Sequence, residues 1–282
     1  AGLHGEITDS SSDIPPSIVS AVPSGDVGRI TSAGLEIYNT QQKSVYSPDY
    51  VLLDPNPKLT NSDTLAPFAT SSPGGMTPAK MRHAYGIDQI MFGSVQGDGA
   101  GQTIAIVDAY DYPTIMTDLQ SFDAAFGLAD PPSVTRLNET GGTTLPGVDP
   151  AGKGNDWEVE EALDVEWSHV MAPAANIVLI EANSPTDADL VQNSVNTARN
   201  LPGVVAVTMS FGRSENSTDA SLDPYFTTPA GHTGVTFLAS TGDGGEPGGY
   251  PSFSPNVVAV GGTTLSVDAS GKYLSETGWG DG

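Results

Sequence analysis

The sequence contains no cysteine among its 282 residues. Disulfide bonds, a thiol nucleophile and metal sites built on cysteine are therefore excluded. Lysine and arginine are also scarce, because 10 of them face 34 aspartates and glutamates, which gives a formal net charge of −24. A protein of that charge repels nucleic acid and anionic membranes. We therefore expect neither as a partner.

Long apolar runs are missing as well. No stretch approaches the roughly 20 apolar residues of a membrane-spanning helix, and the N-terminus does not show the pattern of a signal peptide. The chain opens at Ala1 rather than at a methionine. We expect a processed protein that is secreted or otherwise extracytoplasmic. The acidic composition suits an acidic medium, although solubility explains it nearly as well.

The chain falls into two regions. Residues 1–75 are polar and interrupted by proline, so we expect an extended N-terminal arm or leader remnant there, with one candidate strand at Val45–Leu53. Residues 76–282 are assigned to a folded domain, because helical and strand patterns alternate in them. Thr77 is expected to cap a short helix that begins at Pro78.

Short apolar runs alternate with helical periodicity through this domain. Such runs without polar breaks predict strands buried on both faces of a parallel sheet, and the helices between them predict an α/β fold. The predicted strands are Thr103–Val107, Asn176–Ile180, Val204–Val207, Val235–Ala239 and Val257–Val260. The predicted helices between them are Thr114–Phe126, Asp156–Pro173 and Asp187–Arg199, with a glycine-rich loop at Asn138–Asn155 and a hairpin over Thr263–Thr277.

Ligands of such sheets bind beyond the carboxyl ends of the strands. The loops expected at that edge are Asp108–Tyr112, Ser210–Glu215 and Gly242–Pro247. Asp108 follows the first strand and is interpreted as a structural or supporting group.

The helix predicted over Asp156–Pro173 carries six carboxylates in its first eleven residues and no lysine or arginine. At about 100° per residue, an apolar stripe faces the core, formed by Val159, Leu163 and Val170 with Trp167 at its edge. The acids that lie away from this stripe, and are expected in solvent, are Glu158, Glu161 and Glu166.

Glu160 and Asp164 differ from the other acids, because they lie four residues apart on one face at the border of the stripe. Burial raises the pKa of a carboxyl group, and a like charge raises the pKa of one member of the pair further. This arrangement predicts a general base that works in acid. The alternative is an exposed acidic helix in which neither residue has a special role.

Seven segments in a fixed order resemble the sedolisin family of serine-carboxyl peptidases. They are TPAKMRHAYG, GQTIAIVDAYDYPT, WEVEEALDVEWSHVMAP, VTMSFGRSE, VTFLASTGDGGE, YPSFSPNVVAVGGTTL and SETGW, between Thr77 and Gly282. The resemblance implies a subtilisin-like three-layer sandwich, with a parallel twisted sheet and helices on both faces. It also implies an endopeptidase that acts on proteins or peptides in acid.

The resemblance implies a role for each matching residue. Glu160 would be the general base, Asp164 the acid that orients it, and Asp243 the oxyanion donor in place of an amide. The strand along which the substrate backbone lies would be formed by Ser210, Phe211 and Gly212. An ionised aspartate can only accept hydrogen bonds, so Asp243 must be protonated to stabilise an oxyanion. The alternative for Asp243 is a turn residue in a glycine loop.

The sequence departs from the family at the nucleophile. The family's serine lies in a G-T-S motif, which does not occur in these 282 residues. The resemblance places the family's calcium-binding acids in the same missing part, so no cofactor or metal is expected in this chain. We expect a C-terminally incomplete sandwich that is inactive alone and needs the serine from a second polypeptide or a missing C-terminal segment. The alternative is an inactive extracellular binding or structural relative.

Three other functions fit less well. An ordinary subtilisin needs a histidine in an H-G-T-H helix, which is absent. A carboxylate-bridged metal site needs two Glu-x-x-His pairs, and the chain has one, at Glu166 and His169; His169 is expected to pack or to bond a backbone carbonyl. A glycosidase needs acids on opposite sides of the scissile bond, whereas Glu160 and Asp164 share one face.

Overall fold

The computed structural model describes residues 27–31, 34–38, 45–48, 76–150, 157–245 and 248–280. The chain divides into two compact units. In the smaller unit, strands β1 (Val27–Thr31) and β2 (Gly34–Tyr38) form an antiparallel hairpin. The larger unit holds all other described residues and the candidate site. The arm predicted for residues 1–75 lies mostly outside the described residues.

A six-stranded parallel sheet forms the centre of the larger unit, in the spatial order β12–β11–β9–β6–β8–β7. Its strands are β6 (Thr103–Ala109), β7 (Val134–Asn138), β8 (Asn176–Ala182), β9 (Val204–Met209), β11 (Thr236–Ser240) and β12 (Val258–Val260). All five predicted strands are present. Strand β7 was not predicted.

Helices and small hairpins surround the sheet. The helices are α1 (Pro78–Ala84), α2 (Ile115–Phe126), α3 (Trp157–Met171), a π-helical segment (Asp187–Val195) and α4 (Asn196–Asn200), with short 3₁₀ turns at Ile87–Gln89, Asp219–Ser221 and Asp223–Phe226. The remaining strands are β3 (Ser47–Pro48), β4 (Met91–Phe92), β5 (Val95–Gln96), β10 (Phe211–Gly212), β13 (Thr263–Val267) and β14 (Tyr273–Gly278). Strands β13 and β14 form the hairpin that the sequence predicted. Thr77 caps α1 as predicted, since its Oγ1 accepts from the Lys80 N–H at 3.4 Å.

The core lies on both faces of the sheet. Ala105 and Val107 on β6 pack into one buried cluster with Val191 of the π-helical segment. Ile106, which lies between them and points to the other face, packs with Leu119 of α2 in a second cluster. A parallel sheet covered on both sides explains why its strands are continuous apolar runs. The predicted three-layer α/β sandwich is confirmed.

Helix α3 turns a different face toward the core than the sequence predicted. Trp157, Val165 and Val170 are buried, whereas Leu163, expected in the core, is 38% exposed. Glu161, expected in solvent, is fully buried. These two predictions were wrong because they rested on the pattern of apolar residues alone. The buried face of α3 also includes the Glu161 carboxyl group, which other acidic and basic side chains surround.

Candidate active site

The carboxyl ends of β6, β9 and β11 lie next to one another at one edge of the sheet. Ser210 follows β9, and the glycine loop with Asp243 follows β11. Tyr110, just after β6, has a φ of +74°. Such a conformation is uncommon for a residue other than glycine and often occurs at functional sites. The described parts of the three loops expected at this edge therefore follow neighbouring strands, although Asp108 lies within β6 rather than after it.

The two acids predicted as a pair lie on α3. Glu160 is buried, with 3% of its surface exposed. Asp164 is half-buried, and its Oδ1 accepts a hydrogen bond of 2.6 Å from the Ser210 hydroxyl. Ser210 and Asp164 were predicted to have separate roles, and this direct contact between them was not predicted.

The environment of Asp164 favours its protonated form. Burial raises the pKa of its carboxyl group from the ordinary value of 3.8 to about 7, and the hydrogen bond from Ser210 lowers the pKa only in part. The second oxygen, Oδ2, is shielded from solvent and has no hydrogen-bond partner among the described residues. Asp164 can therefore hold a proton well above the pH at which an exposed aspartate would lose it.

A second group of acids lies next to this pair. Asp108 of β6 and Glu181 of β8 are direct neighbours in the parallel register, and both are fully buried together with Glu161. Arg136 of β7 donates through Nη2 to Glu181 and to Asp111. One guanidinium group therefore pairs with two carboxyl groups, next to the further buried acids Asp108 and Glu161.

The pKa values of these acids are raised. Burial raises the pKa of Asp108 well above its ordinary value, and the charges of Asp164 and Glu181 raise it further. Burial also raises the pKa of Glu161, with added repulsion from Asp108 and Glu181. The pKa of Glu181 rises to about 7 through burial, against the opposing charge of Arg136. We name Asp108, Glu161 and Glu181 the buried acid cluster; it was not predicted.

Asp243 lies in the glycine loop that follows β11. Gly242 has a φ of +86°, and a Cβ atom on Gly245 would lie 2.8 Å from the Gly280 Cα, so the loop closes tightly against the end of β14. Burial raises the pKa of Asp243. Its Oδ2 is buried without a hydrogen-bond partner among the described residues. A protonated Asp243 would have a hydrogen to donate to an incoming group.

The strand predicted to bind substrate is already paired. Phe211 and Gly212 form β10, which pairs antiparallel with Pro48 and Ser47 of β3. Within the predicted strand Val45–Leu53, the described residues 45–48 thus lie along the predicted substrate strand.

His169 of the Glu-x-x-His pair contacts a backbone carbonyl oxygen and a carboxylate. The His169 Nε2 lies 2.9 Å from the Ala129 carbonyl oxygen and 3.4 Å from Asp123 Oδ1, which confirms the predicted backbone contact. Across the described ranges, no three histidine, aspartate or glutamate side chains are grouped so that they could hold a metal ion. The same residues include no helix long and apolar enough to cross a membrane.

Comparison with known proteins found similarity to a serine-carboxyl proteinase. No protein-family model matches the chain. Sedolisin of Pseudomonas sp. (strain 101) is 29% identical over 203 residues, which are 65% of this chain and 34% of that protein. A solved structure of Pseudomonas sedolisin, a serine-carboxyl proteinase complexed with two molecules of pseudo-iodotyrostatin, matches with a TM-score of 0.58 and 27% identity. That match covers 73% of this chain and 58% of the other. The chain therefore spans about a third of the length of the curated relative.

Proposed function

Because this chain is a homologue of sedolisin, as its seven segments predicted, we propose that it forms the body of an acid-acting serine-carboxyl endopeptidase. Its substrates would be proteins or peptides. One observation carries the proposal. The Asp164 carboxyl group, whose pKa is raised to about 7, accepts a hydrogen bond from the Ser210 hydroxyl. Ser210 directly precedes β10, and the extended strand β3 lies along β10.

In this mechanism Glu160 is the general base. It takes the proton of a serine hydroxyl as the serine oxygen bonds to the substrate carbonyl carbon. Asp164, one helical turn away, orients Glu160 and shares the proton. Glu160 then gives the proton to the amine that leaves as the peptide bond breaks. A water molecule hydrolyses the resulting acyl-enzyme by the same route.

Asp243 stabilises the negative charge that develops on the carbonyl oxygen. A protonated carboxyl group can donate one hydrogen bond, whereas an ionised one cannot. The raised pKa of Asp243 supports this role, because it keeps the donor protonated over a wider acidic range. Carboxyl groups with raised pKa values serve in acid, where a histidine base would be protonated and unable to accept a proton.

The nucleophilic serine is proposed to lie outside these 282 residues, in a further segment of the same protein or on a second polypeptide. The lack of a G-T-S motif supports this. So does the outermost strand β12, where Val258 and Val260 are 51% and 46% exposed, since such apolar surface is suited to being covered. Calcium would bind to that further segment. We also propose that the protein is exported from the cytoplasm.

Peptide hydrolysis at about pH 4 tests the proposal. The chain would be assayed alone, and then together with the protein segment that carries G-T-S. We expect activity only in the second case, and Glu160→Gln should abolish it. Glu158→Gln, on the same helix and half-buried, is the matched control and should stay within about tenfold of wild type.

Three outcomes would contradict this account. Activity of Glu160→Gln close to that of the control would remove Glu160 as the base. Hydrolysis by the 282-residue chain alone, if lost in Ser210→Ala, would make Ser210 the nucleophile, since its hydroxyl already donates to Asp164. No hydrolysis by the complete protein at any pH would favour the alternative of an inactive binding or structural relative.

A further inference from the structure

Asp149 caps the helix that carries both candidate acids. Helix α3 begins at Trp157, and the first N–H groups of a helix have no partner within the helix itself. The Trp157 N–H donates to Asp149 Oδ2 at 3.4 Å, across eight residues of sequence. Asp149 is buried, with 4% of its surface exposed. A carboxylate also suits the partial positive charge at the start of a helix. The cap is therefore a contact from a separate segment, whereas most caps come from the residue just before the helix.

The segment that carries Asp149 is fixed to the edge of the sheet where the candidate site lies. Gly147, two residues before Asp149, accepts a hydrogen bond of 3.1 Å at its carbonyl oxygen from the Asp111 N–H. Asp111 follows β6, and its carboxylate accepts from Arg136 of β7. The cap thus ties the start of α3 to the carboxyl ends of the central strands.

Trp157 gives the same end of α3 a second contact. Its side chain is 3% exposed, and its ring lies 5.9 Å from the ring of Phe211 on β10. Aromatic pairs at this separation pack favourably, and a buried indole is a large part of any core. The backbone N–H of Trp157 is held by Asp149 while its ring packs against the predicted substrate strand. The first turn of α3 is therefore located relative to both the sheet edge and β10.

Glu160 and Asp164 follow Trp157 by about one and two helical turns. Their places in the site therefore depend on where the helix begins and in which direction it runs. The hydrogen bond from Ser210 to Asp164 is short, at 2.6 Å, so a small displacement of α3 would break it. A misplacement of about 1 Å can cost a catalytic group about a hundredfold in rate.

We propose that Asp149 is a positioning residue for Glu160 and Asp164. By accepting the Trp157 N–H it fixes the start of α3, and with it the places of both acids in the site. The proposal rests on the proposed function, in which these two acids move the proton of the serine. It adds a residue that lies outside the seven segments on which the family resemblance depends. Asp149 acts through the helix and not on the substrate.

Kinetics of the complete protein, which includes the segment with G-T-S, separate positioning from a merely structural cap. Asp149→Ala removes the acceptor and should lower kcat at least about tenfold while KM changes less than about threefold. Asp149→Asn keeps an acceptor oxygen and should restore kcat to within about threefold of wild type. A kcat that is unchanged in Asp149→Ala, or that falls as far in Asp149→Asn, would overturn the proposal.

Thr77→Ala is the matched control. Thr77 caps α1 with a bond of the same length, 3.4 Å, from the Lys80 N–H. Each alanine variant should lower Tm by about 2–4 °C, because each removes one helix cap. Only Asp149→Ala should also lower kcat. An equal loss of kcat in Thr77→Ala would show that any lost cap slows the enzyme, which overturns the proposal.

Asp149→Glu covers the case in which Asp149→Ala does not fold. It keeps the charge and the acceptor but moves the acceptor by one methylene group. If the position of this acceptor fixes α3, kcat should fall at least about tenfold while the protein stays folded. A kcat within about threefold of wild type would overturn the proposal.

A carbon-13 NMR titration of the Asp164 carboxyl group gives a readout without any hydrolysis, on the 282-residue chain. The hydrogen bond from Ser210 lowers the Asp164 pKa, so a displaced α3 should raise the midpoint of this titration. We expect Asp149→Ala to raise it by about half a pH unit or more. Asp149→Asn and Thr77→Ala should leave it in place. An unchanged midpoint in Asp149→Ala would overturn the proposal.

The two readouts separate this proposal from the proposed function. A raised Asp164 midpoint in Asp149→Ala, without hydrolysis by the complete protein, would keep the positioning role and remove the peptidase. Hydrolysis that depends on Glu160, with kcat and the Asp164 midpoint both unchanged in Asp149→Ala, would keep the peptidase and remove the positioning role.

Discussion

Replacing Asp164 with asparagine should stabilise the protein at neutral pH and leave its stability in acid almost unchanged. The pKa of Asp164 is raised from 3.8 to about 7 by burial. The folded state therefore binds this proton more tightly than the unfolded state. The stability linked to the proton is fully present below the unfolded pKa and is lost as the pH rises through the folded pKa. A pKa difference of about three between the folded and unfolded states, at about 1.4 kcal/mol for each tenfold change in proton affinity, amounts to about 4 kcal/mol.

Asparagine removes this loss because it does not ionise. Its amide oxygen can still accept the hydrogen bond from Ser210. Unfolding in guanidinium chloride would be measured for wild type and Asp164→Asn between about pH 4 and pH 8. The free-energy difference should be near zero at pH 4 and grow by about 1.4 kcal/mol per pH unit, up to about 4 kcal/mol near pH 7. Part of this gain comes from Asp108, whose pKa the Asp164 charge also raises.

Asp268→Asn is the matched control. Asp268 is half-exposed in a turn, and hydrogen bonds from Ser270 and Lys272 lower its pKa. A carboxyl group whose pKa is lowered by folding stabilises the protein at a pH above its unfolded-state pKa, and this stabilisation is lost as the pH falls through its folded-state pKa. Asparagine cannot supply it, so this variant should lose stability relative to wild type as the pH rises. A difference for Asp164→Asn that does not change with pH, or that follows the control, would refute the inferred burial of this charge.

Three further substitutions test other parts of the site. Glu161→Gln should raise stability at neutral pH but not at pH 4, because burial raises the Glu161 pKa; unfolding curves that shift equally at both pH values would contradict this. Arg213→Met should cost about 3–5 kcal/mol in denaturant unfolding, since it leaves Asp187 and Asp219 without their cation; a loss under about 1 kcal/mol would show that the ion pairs matter little. Asp243→Asn should slow the complete enzyme by roughly 10²–10³, or less with activity extended to higher pH because asparagine can donate without a bound proton. An unchanged rate and pH profile would exclude Asp243 from the mechanism.

The strands of the sheet were predictable because burial on both faces leaves a simple pattern. The sequence Thr103–Val107 has no polar break after Thr103, and the strand that it predicted, β6, continues only to Ala109 in the structure. Val134–Asn138 was missed because this outer strand has a single neighbour and carries Arg136 and Asn138. A polar strand at the edge of a sheet has no periodic apolar signal to detect.

The acids of α3 were predictable only in part. The four-residue spacing placed Glu160 and Asp164 on one face, but the apolar pattern placed Glu161 in solvent. Glu161 is buried beside Asp108 and Glu181, which lie on two strands that are distant in sequence. The available signal was that Asp108 and Glu181 each follow four apolar residues in a strand, where an acid is unexpected.

Contacts between distant segments had no local signal at all. The hydrogen bond from Ser210 to Asp164 spans 46 residues. The pairing of Ser47 and Pro48 with β10 spans more than 160. Neither follows from spacing or propensity, because such contacts depend on the assembled sheet.

A carbon-13 NMR titration of the Asp164 carboxyl group tests the central claim most directly. That claim is that an acid on α3 keeps its proton beside the proposed peptide-binding strand at a pH where an exposed aspartate would be ionised. We expect a midpoint near pH 7, assigned through Asp164→Asn, and a higher midpoint in Ser210→Ala because the hydrogen bond that lowers the pKa is lost. A midpoint near pH 4, unchanged in Ser210→Ala, would contradict the account.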